Sequence, residues 1–520
     1  MTARSIAGFI IAIALTLAAA AAARAEAPGQ VETKSLAALT GAAGEARLDA
    51  ERRRFIADFT IADGAEASAI ALSLAAAPDA EGARGDIVVT VNGSRPVVLS
   101  PRPEAFEARF ALYADSLREG ANRLMITLEG GPSDAWAIDA EASALAIQLS
   151  APQSPPGTLA ALERRLGADF AGPEHVFIDA GAAGAEAVSV AALAAQGAAL
   201  RLGRAPVLVG TAETADLRIS ARLGEGPLVR LEDGAVILSG PDEAALLGAA
   251  RLFAARSLSG AGATFDVADA ISADALVASA RASGRAGEGL DGLASSGAPF
   301  ARSKGSGAGV VFAAADGADR RAAISVAARA ALASGGAWTY AWYGDSVEAA
   351  PPGLDLMVIG GLDEVGAEVL RTAPAPVRDA AEAARRRLPT APRPVGSVAF
   401  ASQIRPAHAD PYATGFAALF EDRGGRTLAL ISAPEEASFA KAAGRLARTG
   451  LWANLHGEAA VWDETGVTGF APSGFTAPDL GAAARFVRAH DRMLALSAFT
   501  LSMALLLLGA GVNRASSPRR

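Results

Sequence analysis

Ile87-Val-Val-Thr-Val91-Asn92-Gly93-Ser-Arg-Pro96-Val-Val-Leu99 decides how the first third of this chain is read. Residues 87–91 are all β-branched, which fits a pleated strand better than a helix. Asn92-Gly93 supplies the two residues that best tolerate positive φ, and Pro96 to Leu99 returns alongside, so the stretch predicts a β-hairpin. Outward from it, Phe55, Ala57 and Phe59 alternate with polar neighbours, as do Ile70, Leu72 and Leu74. Phe106 and Phe110, Leu124 to Leu128, and Ala142 to Leu149 extend the series with no long helix between them. Short strands at this spacing predict a jelly-roll or similar β-sandwich over 26–151, closed by Pro152, Pro155, Pro156 and Gly157.

Beyond that point the hydrophobic period changes. Val176 to Ile178 and Pro206 to Gly210 read as strands around an alanine-rich helix, Ala185 to Leu202. Leu228 to Leu231 and Ala235 to Leu238 flank Asp233-Gly234 as a second hairpin. Pro241 then opens a helix, Asp242 to Arg256, with acids in its first turn. Strands alternating with helices predict an open α/β domain over 158–272. The Gly/Ser/Ala-rich 273–309 reads as a linker. A second α/β domain follows over 310–470, with strands at Val310 to Ala315, Trp338 to Trp342, Leu354 to Ile359, Val398 to Ile404, Gly415 to Phe420 and Thr427 to Ser432. Its helices are Asp319 to Leu332, Val377 to Leu388 and Glu435 to Arg448.

The two ends address the chain. Arg4, the uncharged run Ala7 to Ala22 and Ala23-Arg24-Ala25 make the pattern of an export signal, so residues 1–25 are expected to be removed. Met493 to Val512 reaches about 30 Å as a helix, the thickness of a hydrocarbon core, and predicts a single transmembrane helix. Arg514, Arg519 and Arg520 follow without an acid, which favours a cytoplasmic tail at 513–520 and a body in the periplasm. Asp479 to Arg492 mixes Leu480, Phe486 and Val487 with Arg485 and Arg488, as an interfacial helix would. Within the span, Met493, Leu505, Gly509 and Gly511 are the candidates for packing against a partner helix, because small residues let membrane helices approach closely.

Composition excludes several classes. The net charge of −9 argues against nucleic acid as a partner, and the absence of cysteine excludes a disulfide framework. His175, His408, His456 and His490 lie far apart, in no metal-ligand spacing. No phosphate-loop or nucleophile-elbow motif occurs; Gly305-Ser306-Gly307 precedes a strand where such motifs follow one. Asp345 and Glu348 are a carboxylate pair of the sort a glycosidase needs, and chance pairs are expected among 56 acids. Trp338, Tyr340 and Trp342 would share one face of a strand, either as core or as a sugar ladder. Trp136, in a loop-like stretch beside Asp134, is a freer candidate for glycan contact, and Asn92 is a second one. No catalytic, metal or cofactor residue is assigned.

The order of these parts resembles the periplasmic regulatory component of bacterial cellulose synthases, a family often labelled cyclic di-GMP-binding proteins. The likeness rests on Ile87-Val-Val-Thr-Val-Asn92-Gly93 and on Ser116-Leu-Arg-Glu-Gly120-Ala-Asn122-Arg-Leu124 in the β domain. Pro206-Val-Leu-Val-Gly210, Ala235-Val-Ile-Leu-Ser-Gly240, Leu354-Asp-Leu-Met-Val-Ile359-Gly360 and Gly425-Arg-Thr-Leu-Ala-Leu-Ile-Ser-Ala433 carry it in the α/β domains, with the terminal span. That family alternates two jelly rolls with two flavodoxin-like domains; here 273–309 stands where the second jelly roll would be, so a shortened member is expected. The resemblance implies a non-catalytic subunit packed against a membrane-embedded processive glycosyltransferase, the cellulose synthase catalytic subunit, and guiding a nascent β-glucan. It implies no cofactor bound directly, since cyclic di-GMP acts on the catalytic subunit. An anchored glycan-binding adhesin or sensor, and an anchored glycan-active enzyme, are the alternatives.

Overall fold

The computed structural model describes residues 30–40, 45–79, 85–102, 104–131, 133–150, 155–255, 258, 262–266, 289–314, 317–365, 373–375, 377–379, 381, 414–422, 425–434, 436–448, 450–463, 466–470 and 476–477. The expected export signal, interfacial helix and membrane span lie outside them, as do Met493, Leu505, Gly509 and Gly511, His408 and His490, and the strand expected at Val398 to Ile404. The chain forms two compact units, residues 1–281 and 282–520.

The first unit opens with ten strands: β1 (Gln30–Ser35), β2 (Glu45–Leu48), β3 (Arg54–Ile61), β4 (Ala67–Pro78), β5 (Asp86–Val91), β6 (Val97–Leu99), β7 (Phe106–Leu112), β8 (Gly120–Glu129), β9 (Trp136–Asp139) and β10 (Ala144–Leu149). They build two antiparallel sheets, β1-β10-β4-β9-β2 with β7 also on β4, and β3-β8-β5-β6. The alternation read from the sequence is the alternation of burial: Phe55, Ala57, Phe59 and Ile61 of β3 point inward, against Ile70, Leu72 and Leu74 of β4. Asn92 (φ 52) and Gly93 (φ 71) form the expected turn, closed by Ser94 N donating to Val91 O at 2.9 Å. The sheets therefore make one β-sandwich.

An α/β sheet follows in the same unit, with helices α2 (Leu159–Leu166), α3 (Ala187–Leu202) and α4 (Glu243–Ala255); α1 is the short turn Leu36–Thr40 in the sandwich. Its strands are β11 (His175–Asp179), β12 (Val207–Leu208), β13 (Leu217–Leu223), β14 (Leu228–Glu232), β15 (Ala235–Gly240) and β16 (Thr264–Asp266), in the order β12-β11-β13-β15-β14-β16. β12, β11, β13 and β15 are parallel; β14 is antiparallel to both neighbours. With its lead-in turn, Gly181–Leu202 is long and apolar enough to cross a membrane, but its middle is buried in this domain. It is a core helix. At its end Arg201 lies 4.4 Å from the Phe253 ring, donates to Gly197 O at 2.7 Å and sits 3.7 Å from Glu163. Burial lowers this guanidinium to about 10, with Glu163 acting the other way.

The sandwich and this sheet are stitched together by residues 169–171. Phe170 is fully buried in the sandwich core, edge-on to Phe59 with centroids 5.6 Å apart. Its backbone forms a parallel bridge beside Ile61 of β3: Phe170 N donates to Thr60 O and Ala62 N to Phe170 O, both at 3.0 Å. Asp169 accepts from Thr60 N at 2.8 Å and Thr60 Oγ1 at 2.9 Å. Ala171, at φ 58, donates to the Glu32 carboxylate at 3.1 Å, and Lys34 lies 5.6 Å from the Phe170 ring. Burial raises the Glu32 carboxyl above its usual range, opposed by the Ala171 amide and Lys34. A group whose folded pKa is raised contributes stability that is complete below its unfolded pKa and lost as pH rises through the folded one. Glu32→Gln, which removes this titration, is therefore expected to gain on the wild type most near neutral pH, the gap narrowing toward about pH 4.5. Urea midpoints across that range check it; a gap independent of pH refutes it.

The second unit has α5 (Leu290–Ser296), α6 (Gly317–Ser334), α7 (Leu362–Val365) and α8 (Glu436–Arg448). Its strands are β17 (Ala308–Ala313), β18 (Trp342–Gly344), β19 (Asp355–Gly361), β20 (Gly415–Glu421), β21 (Thr427–Ala433), β22 (Ala459–Asp463), β23 (Gly466–Phe470) and β24 (Thr476–Ala477). The sheet order is β18-β17-β19-β21-β20-β22-β23-β24, parallel from β18 to β21 and antiparallel beyond. Numbered within each sheet, both α/β domains share the order 2-1-3-5-4-6, with strand 4 antiparallel to strands 5 and 6; the second adds two strands at that end. Residues 289–309 are not linker. Leu290, Leu293 and Phe300 are buried, Trp452 Nε1 donates to Ala294 O at 3.1 Å, and Gly457 N donates to Asp291 at 3.1 Å.

Candidate functional site

The two residues singled out for glycan contact are structural. Trp136 lies on β9, fully buried, packed edge-on against Phe106 with centroids 5.5 Å apart. It offers no face to a sugar; the loop expected there is a four-residue strand that pairs with both β2 and β4. Asn92 locks two turns together. Its Nδ2 donates to Ser116 O and Asn122 Oδ1, both at 2.8 Å, and its Oδ1 accepts from Arg123 N at 2.8 Å. Asn122 is 2% exposed and uses Nδ2 on Arg118 O and Gly120 O and Oδ1 on Arg118 N. A buried amide with its donors and acceptors occupied is a fastener. The two asparagines that carry the sequence likeness in this domain are partners in one network.

Trp338, Tyr340 and Trp342 do not share a strand face. Trp338 is buried in a turn, stacked on Phe300 at 6.2 Å, with Nε1 donating to Ser334 Oγ at 3.1 Å. Trp342 begins edge strand β18 and packs half-buried against the core, its ring over Gly344. Tyr340 alone of the three stands out, 57% exposed. Asp345 pairs with Arg320 at 3.3 Å and is over half exposed, and Glu348 is exposed, so no enclosed carboxylate pair forms there. His175 and His456 are half-buried, held by Asp216 at 3.2 Å and by Asn454 O at 2.7 Å. Among the described residues no cluster suits a metal ion.

Open α/β sheets bind ligands where the strand order reverses, at the carboxyl ends of the strands. In the first domain the turn after β11, Gly181–Glu186, is filled from within. Gly184 (φ 51) faces the Glu243 carboxylate, which a Cβ at 184 would overlap, and Ala185 N donates to Glu243 Oε2 at 3.3 Å. The carboxylate at the first turn of α4 thus occupies the turn at the carboxyl end of β11, beside the point where the strand order reverses. In the second domain β17 and β19 close on each other: a Cβ at Gly360 would fall on the Ala313 carbonyl.

One surface feature is not visible in the sequence pattern. Arg302–Gly305 forms a tight turn before β17 in which Ser303 (φ 47, ψ 42), Lys304 (φ 57, ψ 34) and Gly305 (φ 85) are successively left-handed. Each non-glycine residue held there costs about 1–3 kcal/mol. Tyr340 N donates to Lys304 O at 3.0 Å, and Gly305 packs so closely that a Cβ would lie 2.9 Å from Ala341 and 3.0 Å from Trp338. Arg302, Ser303, Lys304 and Tyr340 are all exposed. The nearest signal is Gly305-Ser306-Gly307, legible as a turn and silent about which residues it presents.

No protein-family model matches this chain, and no curated protein does. Among solved structures, it is similar to the exo-beta-1,3-galactanase of Phanerochaete chrysosporium with galactose at 16% identity, over 23% of this chain and 26% of that one, with a TM-score of 0.15. A family 35 carbohydrate binding module from Clostridium thermocellum matches at 14% identity over 24% of this chain and 90% of that one, TM-score 0.16. Dimeric latent PorU from Porphyromonas gingivalis matches at 11% over 20% of this chain and 11% of that one, TM-score 0.15. This chain therefore spans about a quarter of the galactanase and about a tenth of PorU, and likenesses of this size carry nothing about its ligand.

Proposed function

We propose that this chain is the non-catalytic, membrane-anchored subunit of a β-glucan synthase complex, its body in the periplasm beside the channel of a processive glycosyltransferase. The observation that carries this reading is the order of its parts: one β-sandwich, then two α/β sheets of common strand order. A sandwich followed by two α/β domains is the order of parts that the resemblance implies for a shortened family member, although both sheets run 2-1-3-5-4-6 with strand 4 antiparallel where a flavodoxin-like sheet is parallel and runs 2-1-3-4-5. Residues 267–288, between β16 and α5, are too few for a second sandwich of about 100 residues, which supports the shortened form. The self-filled turn at Glu243 supports a body without a nucleotide of its own, cyclic di-GMP acting on the partner. The C-terminal span, Met493 to Val512, would hold the body to the glycosyltransferase through residues such as Gly509 and Gly511.

Tagged full-length chain purified from native membranes is expected to bring down a membrane-embedded glycosyltransferase, identified by mass spectrometry, and to incorporate glucose from UDP-glucose into polymer. Replacing residues 493–512 with an unrelated apolar helix is expected to abolish both. A chain that purifies alone overturns the reading and favours an anchored glycan-binding adhesin.

A further inference from the structure

No further inference is drawn: the strongest candidate, the Arg329 guanidinium on α6, which stands where the matching run of α3 carries the buried Leu193 and whose Nε finds no acceptor among the described residues, is closed to solvent at that nitrogen, and nothing in the structure shows what covers the rest of its helix face.

Discussion

Phe170→Ala is expected to destabilise the first unit by about 3–5 kcal/mol, the range for emptying a buried aromatic site. The side chain is fully buried among residues of both sandwich sheets and meets Phe59 edge-on, so the space it leaves is walled by strands that cannot collapse into it. The effect is also topological. The hydrogen bonds of Thr60 and Ala62 to Asp169 and Phe170 pair this segment beside β3, and they depend on the ring to hold the segment in register. Once it is loosened, the sandwich and the first α/β sheet are expected to unfold in two steps where the wild type shows one. Differential scanning calorimetry of the full chain reads both; one unshifted transition contradicts the account.

Gly360→Ala is expected to cost the second unit about 3–5 kcal/mol, although it adds a single methyl group. The added carbon would overlap the Ala313 carbonyl of β17, and neither strand can yield, since β19 lies between β17 and β21 in the parallel core of the sheet. A contrasting substitution at Gly353, where φ is 84 and nothing lies within reach of a Cβ, isolates the backbone term and is expected to cost about 1 kcal/mol. Urea unfolding of the two variants checks the difference; equal effects refute the steric argument.

How much of the fold is legible in the sequence depends on which residues hold each element. Strands whose inward residues are large and alternate, as in β3 and β4, can be read because burial on a pleat has a period of two. The Asn92-Gly93 and Asp233-Gly234 turns are legible because few residues tolerate positive φ. Strand β9 reads as loop because Gly130-Gly131-Pro132 and Ser133-Asp134 precede it and its four residues are too few to show a period. The β14 partner β16 and its counterpart β22 are hidden for the same reason of length or small residues, as are the two additional strands β23 and β24, and β16 and β22 complete the common order of the two sheets. The aromatic trio misleads because a two-residue spacing implies a strand, whereas Trp338 to Ala341 turn before β18 begins. Asn92 and Asn122 are visible as motif positions, but only the fold brings them within 2.8 Å.

The Glu243 carboxylate also has a thermodynamic reading. A group tethered by its own helix beside the Gly184 turn acts as a resident competitor, at an effective concentration of roughly millimolar or more. A phosphate present at micromolar levels would have to displace an anion that never diffuses away. Any anion reaching the Gly184 turn from solution competes with a carboxylate that its own helix always returns to the same place.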